Sequence, residues 1–322
     1  MAASTRGLVV VRTTGDAIAD RRFAWAQGCR EAGDHAAAAE MAEHTLALAP
    51  RFAPAWALLG EARLALGDEA GACEALSRAL ALEPEDVLGV SIALARLGAV
   101  DQADAMTPAY VRALFDGYAD AFEAHLTERL GYRGPSLVAA LVDRLAPGRR
   151  FGSVLDLGCG TGLMGEAIRA RADWLEGIDL APAMVDKARE KGVYDALAVA
   201  ELTERLAACP PASLDLILAA DVMVYIGDPV HVLTNAAAAL APGGLFVFTV
   251  QAHPGPGFAI GADARFAHSA AFLRERATQA GLAVAAIDEA WSRCDAGRPV
   301  AGHLVALQRV ADIAPLDFSR RD

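Results

Sequence analysis

The sequence predicts an α/β fold, a mostly parallel sheet with helices on both faces, preceded by an all-α repeat region. Three observations predict it. An apolar run, Val154-Leu155-Asp156-Leu157, passes straight into the glycine-rich turn Gly158-Cys159-Gly160-Thr161-Gly162. After that turn, strand-like and helix-like runs alternate, the pattern of a parallel sheet covered by helices. Before it, an Ala-rich helical stretch repeats itself, with Gly33-Asp34 recurring at Gly67-Asp68 and Pro50 recurring at Pro84, each pair 34 residues apart.

Residues 1–17 read as a flexible tail, since the apolar stretch Gly7 to Val11 is too short for a signal-peptide core. Residues 18–104 follow as the helical domain. Their period is that of the tetratricopeptide repeat. The second unit carries Trp56, Leu59, Gly60, Ala72, Leu76, Ala79 and Pro84 at the offsets of that pattern, and the first keeps Trp25, Ala26, Ala38, Ala42 and Pro50. A third, degraded unit begins near Glu85. So few repeats bury little alone, so the domain serves either as a cap on its neighbour or as a surface for a protein partner.

Residues 105–322 form the second predicted domain, with lead-in helices over 108–146 and a core over 151–309. Seven strands are expected, at 153–157, 174–178, 196–200, 214–219, 245–250, 282–287 and 303–308. Breakers mark their limits: Pro182 starts a helix, Gly192 ends one, Pro210-Pro211 makes a loop, and Pro242-Gly243-Gly244 turns a helix into a strand.

Composition removes several function classes. The chain has 322 residues and a formal net charge of −12, with a pI near 5.1. Gripping a phosphodiester backbone needs clustered Lys and Arg, so nucleic acid is not an expected partner. No charge-free apolar run of spanning length occurs, so no membrane segment is expected. The five cysteines are scattered and never form a CxxC pair, which speaks against a disulfide framework or a zinc site. A reduced, cytoplasmic protein without a metal is the expectation.

The glycine turn argues for a ligand. Its glycines run GxGxG rather than the GxGxxG that seats a pyrophosphate on a helix N-terminus, because Leu163 stands where the last glycine belongs. Asp156, two residues ahead of Gly158, suits an ammonium better than a phosphate. Asp179 ends the next apolar run at roughly the 20-residue distance where a ribose-binding acid is expected. S-adenosylmethionine has the ammonium and the ribose and lacks the phosphate. A nicotinamide-dependent dehydrogenase is the poorer fit.

The stretch Leu155-Asp156-Leu157-Gly158-Cys159-Gly160-Thr161-Gly162 resembles the first motif of class I S-adenosylmethionine-dependent methyltransferases, whose core is a Rossmann-like seven-stranded sheet. Residues 108–309 as a whole are similar to the subgroup with N-terminal tetratricopeptide repeats, close to the ubiquinone- and biotin-pathway type. That likeness is carried by Leu114-Phe115-Asp116 with Tyr118, Ala119 and Phe122, by Leu130-Gly131-Tyr132-Arg133 with Pro135, and by Ala219-Ala220-Asp221-Val222 with Tyr225, Gly227 and Asp228. Arg265-Phe266-Ala267-His268-Ser269 and Gly302-His303-Leu304-Val305 complete it.

The resemblance implies transfer of a methyl group to an oxygen or nitrogen of a small-molecule acceptor. It also implies roles. Asp156 meets the ammonium, the backbone of Gly158, Cys159 and Gly160 allows close passage of the methionine part, and Asp179 accepts the ribose hydroxyls or caps the following helix. Leu180 and Met184 sandwich the adenine or belong to the core. Glu201 stands where the family has an acid for the adenine amino group, with the backbone of Leu202 as the other reader. Asp221 lies near methyl transfer, with Tyr225 beside it as a reactive-side aromatic or as packing. Tyr118 and Phe122, one turn apart, close over the cofactor or pack in the core. His268 is the first candidate base, with Arg265 to hold an acceptor carboxylate and His253 as the second base. In the other reading Ser269 merely caps a helix over a packed His268. The alternative function is a repeat-mediated protein-binding protein whose methyltransferase domain acts on, or senses, its partner.

Overall fold

The computed structural model describes residues 12–117, 123, 131–295 and 297–310. They divide into two compact units, the first comprising the described residues up to 117 with 260–265 and the second comprising those from 123 to 259 and from 266 onward. Sequence alone places that boundary at 104. The first unit takes in the additional helix at 108–116.

The first unit holds α1 (Ala17–Glu31), α2 (His35–Leu48), α3 (Ala53–Ala65), α4 (Glu69–Leu82), α5 (Val90–Arg96) and α6 (Pro108–Asp116). The repeat in sequence is a repeat in geometry. Asp34 and Asp68 cap α2 and α4 through their side chains, to the amides of Ala37 and Gly71, with φ of −84° and −85°. Each cap follows a glycine in the left-handed region, Gly33 at φ 78° and Gly67 at φ 81°, a conformation that disfavours any side chain. Alanines make the packing possible. Ala26, Ala38, Ala42, Ala55, Ala62 and Ala75 are buried between the helices with Leu58 and Leu59.

The second unit is a sheet with helices. Its strands are β1 (Phe151–Leu157), β2 (Ala172–Asp179), β3 (Ala196–Val199), β4 (Leu214–Ala219), β5 (Leu240–Ala252), β6 (Phe258–Ile260), β7 (Phe266–His268), β8 (Leu282–Ala290), β9 (Cys294–Asp295), β10 (Arg298–Pro299) and β11 (Gly302–Arg309). The helices are α7 (Gly134–Leu145), α8 (Leu163–Ile168), α9 (Pro182–Lys191), α10 (Leu202–Ala207), α11 (Val230–Ala239) and α12 (Ala270–Gln279).

The sheet order is β3-β2-β1-β4-β5-β11-β8. Pairs from β3 to β5 are parallel, and β11 runs antiparallel to both its neighbours. All seven expected strands are present. The expected count of seven needs correcting, because β6 and β7 extend the sheet to nine strands, and β9 with β10 forms a separate pair. The addition falls in 253–269, where Pro and Gly concentrate and two three-residue strands carry no readable alternation. Pro242-Gly243-Gly244 is the other local surprise: it lies inside the bounds of β5, where the pairing with β4 jumps from Leu214↔Leu240 to Leu216↔Leu245.

Two apolar layers hold the sheet. On one face Leu155, Leu157, Ile217, Phe246 and Phe248 pack with α11 and α12 residues such as Leu233 and Leu273. On the other, Phe151, Val154, Leu216 and Val247 meet Val138 and Leu141 of α7. Each such side chain contributes about 1.5–3 kcal/mol by leaving water. Chain order reverses between β1 and β4, which makes the carboxyl ends of these strands the place where such a sheet opens a crevice.

Candidate functional site

β1 is apolar and buried along its last four residues, and Asp156 is the exception within that run, with only 1 % of its surface exposed. Its Oδ2 accepts a 2.6 Å hydrogen bond from the Tyr194 hydroxyl. Its Oδ1 is buried and has no partner among the described residues. A lone buried acceptor is costly to keep. Burial, with the charge of Asp179 adding to it and the Tyr194 hydroxyl opposing it, pushes the Asp156 carboxyl up to about 7.

The loop after β1 is built by glycine conformation. Gly158, Gly160 and Gly162 have φ of 62°, 52° and 94°. A Cβ on Gly158 would stand 2.4 Å from Val222 Cγ2, so this loop and the one leaving β4 are in direct contact. Cys159 is buried; its amide donates to Ile178 O at 2.8 Å, and burial pushes its thiol up. Gly162 then opens α8 as its left-handed N-cap.

Asp179, at the tip of β2, accepts from Gly160 N through Oδ2 and from Ala181 N through Oδ1, both at 2.9 Å. It ties the glycine loop to the start of α9. Leu180 is half-buried, whereas Met184 is fully buried on α9. Glu201 caps α10 through a 2.7 Å bond from Glu204 N to Oε2, and Leu202 is buried in the main core.

At the end of β4, Asp221 adopts φ 58°, a left-handed conformation of the kind that costs a non-glycine residue on the order of 1–3 kcal/mol and that gathers at functional sites. Thr249 and Ser292 fix its side chain, each hydroxyl donating to Oδ1, at 2.9 and 2.7 Å. The Asp221 amide in turn donates to Thr249 Oγ1 at 2.8 Å. Tyr225, half-buried, closes the short turn that follows, with its amide bonded to Val222 O.

His268 occupies the packed alternative. Its ring is fully buried, near-parallel to Phe272 at 6.3 Å between centroids and flanked by Phe258 and Phe266. Nε2 lies 2.9 Å from both Ile226 O and Gly227 O. Two carbonyls can only accept, so Nε2 carries the proton and the neutral ring pins the turn after Tyr225. Burial pushes the imidazole down against those carbonyls. Ser269 caps α12 through Phe272 N. Arg265 belongs to the 260–265 stretch that groups with the first unit, with its carbonyl bonded to Gly261 N. Tyr118 and Phe122 lie outside the described residues.

Asp156, Gly158, Cys159, Gly160, Asp179 and Asp221 are thus brought together around the ends of β1, β2 and β4. Sequence reasoning missed Tyr194. Its hydroxyl also accepts from Gly165 N at 3.1 Å, and its ring fills space that Cβ atoms on Gly165 and Gly177 would enter, at 2.3 and 2.7 Å. Those two glycines were the available signal, since glycine in the interior of a helix or strand marks close approach by something else.

Residues 130–287 match the family described as a methyltransferase domain, just under half of the chain. The ubiquinone biosynthesis O-methyltransferase of Xanthomonas campestris is 36% identical over 112 residues, covering 34% of this chain and 46% of that protein. Its counterpart in Xylella fastidiosa is 37% identical over 102 residues, covering 30% and 42%. The chain therefore spans less than half the length of these relatives. Among solved structures, an S-adenosylmethionine-dependent methyltransferase from Mesorhizobium loti has 23% identity and a TM-score of 0.43, covering 55% of this chain and all of that one.

Proposed function

We propose that the chain, through its methyltransferase domain, transfers a methyl group from S-adenosylmethionine to an oxygen or nitrogen of a small-molecule acceptor. The observation that carries the reading is the buried, unpartnered Asp156 Oδ1 beside a loop of three left-handed glycines. A cation fits that oxygen, and the left-handed turn supports a loop that presents backbone rather than side chains to a ligand. S-adenosylmethionine, when bound, supplies a methyl group already activated on a sulfonium. The protein's own work is then to bind, to align and to exclude water. Alignment alone can be worth about 7–11 kcal/mol of barrier.

In this reading Asp156 holds the amino-acid ammonium and Asp179, at the tip of β2, accepts the ribose hydroxyls. The loop 158–162 passes beneath the methionine part. Leu180 and the Leu202 backbone border the adenine. Asp221, held rigid by Thr249 and Ser292, faces the acceptor side with Tyr225, and His268 fixes the turn behind them. His253 becomes the first candidate base and Arg265 remains the candidate for an acceptor carboxylate. The 34-residue helical pairs are tetratricopeptide repeats, and the protein is cytoplasmic. The net charge of −12 favours an acceptor other than nucleic acid.

Isothermal titration with S-adenosylmethionine tests this. One site per chain is expected, and Asp179→Ala weakens it on the order of 100-fold, the loss of two hydrogen bonds to a charged group. Unchanged affinity in that variant overturns the assignment.

A second reading, a protein acceptor docked on the repeats, draws on one observation. The first unit contains a cavity of about 560 Å³ lined by Leu80, Pro84, Leu94 and Val100 with Asp101 and Asp104. Pull-down with the full chain separates the readings: a partner lost on Leu94→Arg favours the protein acceptor.

A further inference from the structure

We propose that Tyr194 is a positioning residue for ligand binding: its hydroxyl turns the Asp156 carboxyl so that Oδ1 stays open for the ligand's ammonium and keeps that carboxyl charged when the ammonium arrives. The inference rests on the reading of Asp156 given above. It goes further in assigning a role to a residue that lies outside the glycine motif, on the link between α9 and β3.

Three features of the geometry carry it. The hydroxyl is used twice, donating to Asp156 Oδ2 at 2.6 Å and accepting from Gly165 N at 3.1 Å. Its hydrogen therefore points to Asp156 and nowhere else. The ring cannot swing away, because it is wedged against Gly162, Gly165 and Gly177, where added Cβ atoms would come within 3.3, 2.3 and 2.7 Å of it. A fixed donor on one carboxyl oxygen leaves the other, Oδ1, as the acceptor without a partner.

Among the described residues, the groups that act on the Asp156 carboxyl include no cation. Asp179 approaches from β2 and Cys159 from the loop, the first carrying negative charge and the second an un-ionised thiol. Lys191 of α9, whose stem lies against Gly162, is held by Glu166 at 2.7 Å and Glu123 at 3.2 Å. Tyr194 itself stays protonated, since burial and the Asp156 charge push its phenol up. Asp156 thus has one hydroxyl favouring its charged form while burial and Asp179 oppose it. An incoming ammonium tips that balance.

Tyr194→Phe keeps the ring in its slot and removes only the hydroxyl. The ligand-free midpoint of Asp156, followed by carbon NMR of the labelled carboxyl, is expected to rise by about one pH unit, which corresponds to about fivefold weaker binding of S-adenosylhomocysteine near pH 7. Binding by calorimetry should recover by pH 9. The ligand's own amine titrates identically with both proteins, so the difference between them belongs to the site. In an Asp156→Asn background the same substitution should leave the pH profile of binding unmoved, whereas a purely structural loss would persist there. An unshifted Asp156 midpoint in Tyr194→Phe, or an equal loss in the Asp156→Asn background, overturns the proposal. Absence of binding by the wild-type protein would instead overturn the functional reading, and the NMR arm would still decide whether Tyr194 governs Asp156.

Discussion

Glycines in the two units do different work. Gly33 and Gly67 have φ near 80° with open space around the missing side chain, so they are required only for the path of the chain. Gly158, Gly165 and Gly177 face side chains at 2.3–2.7 Å, so they are required because something else needs the room. The acids divide likewise. Asp34 and Asp68 are exposed caps at equivalent positions of a repeat, while Asp156 is buried, unrepeated and half-satisfied. Features that recur and sit comfortably describe architecture. A feature that occurs once and costs stability points to a ligand, because the fold alone gives no reason to retain it.

Asp156→Asn presses hardest on this contrast. It should weaken S-adenosylhomocysteine binding on the order of 100-fold, the loss of a charge-assisted contact, yet raise the melting temperature of the ligand-free protein at pH 8, because a buried charge is removed. Calorimetry and a thermal scan on one preparation check both halves. A variant that loses stability along with binding would make Asp156 an architectural residue after all.

Next in size is a matched pair of glycine substitutions. Gly165→Ala drives a Cβ into the Tyr194 ring and should cost about 1–3 kcal/mol by overpacking while also displacing Tyr194 and weakening the ligand. Gly67→Ala meets no neighbour and should cost about 1–2 kcal/mol through its left-handed backbone alone, with binding untouched. Urea titration reads the first quantity and calorimetry the second.

Acidity offers a third comparison. The Asp156 carboxyl is raised from 3.8 to about 7 in the folded protein, so between those values the folded state holds a proton that the unfolded chain has released. The sign follows: this group's contribution to stability falls as pH rises from about 4 to 7 and is flat above. A cation on Asp156 cancels that loss, so the increase in melting temperature on adding S-adenosylhomocysteine should grow from pH 6 to pH 8. A constant increment would separate ligand binding from Asp156. The smallest effect belongs to the first unit, where Asp68→Ala removes one cap and should cost about 1 kcal/mol with no change in affinity.

Much of this was legible in the sequence because periodicity and glycine spacing are local signals. The seven main strands and the pairing of the glycine loop with Asp156 and Asp179 follow from them, whereas the role of Asp221 came with the resemblance to class I methyltransferases and the strand order is seen only in the structure. What escaped is non-local. Tyr194 reaches Asp156 across 38 positions, and only the interior glycines 165 and 177 hint at its ring. Thr249 in β5 and Ser292 just past β8 fix Asp221, and neither lone hydroxyl carries a readable signal in the sequence. His268 reads as a base through the family resemblance, but Phe258, Phe266 and Phe272 enclose it in space.

Crystals soaked with S-adenosylhomocysteine give the most direct test of the account. Its ammonium should lie within hydrogen-bond distance of Asp156 Oδ1, with both ribose hydroxyls on Asp179 and the thioether over Gly158 and Gly160. A nucleoside bound elsewhere, or an Asp156 Oδ1 still without a partner in the complex, would contradict it.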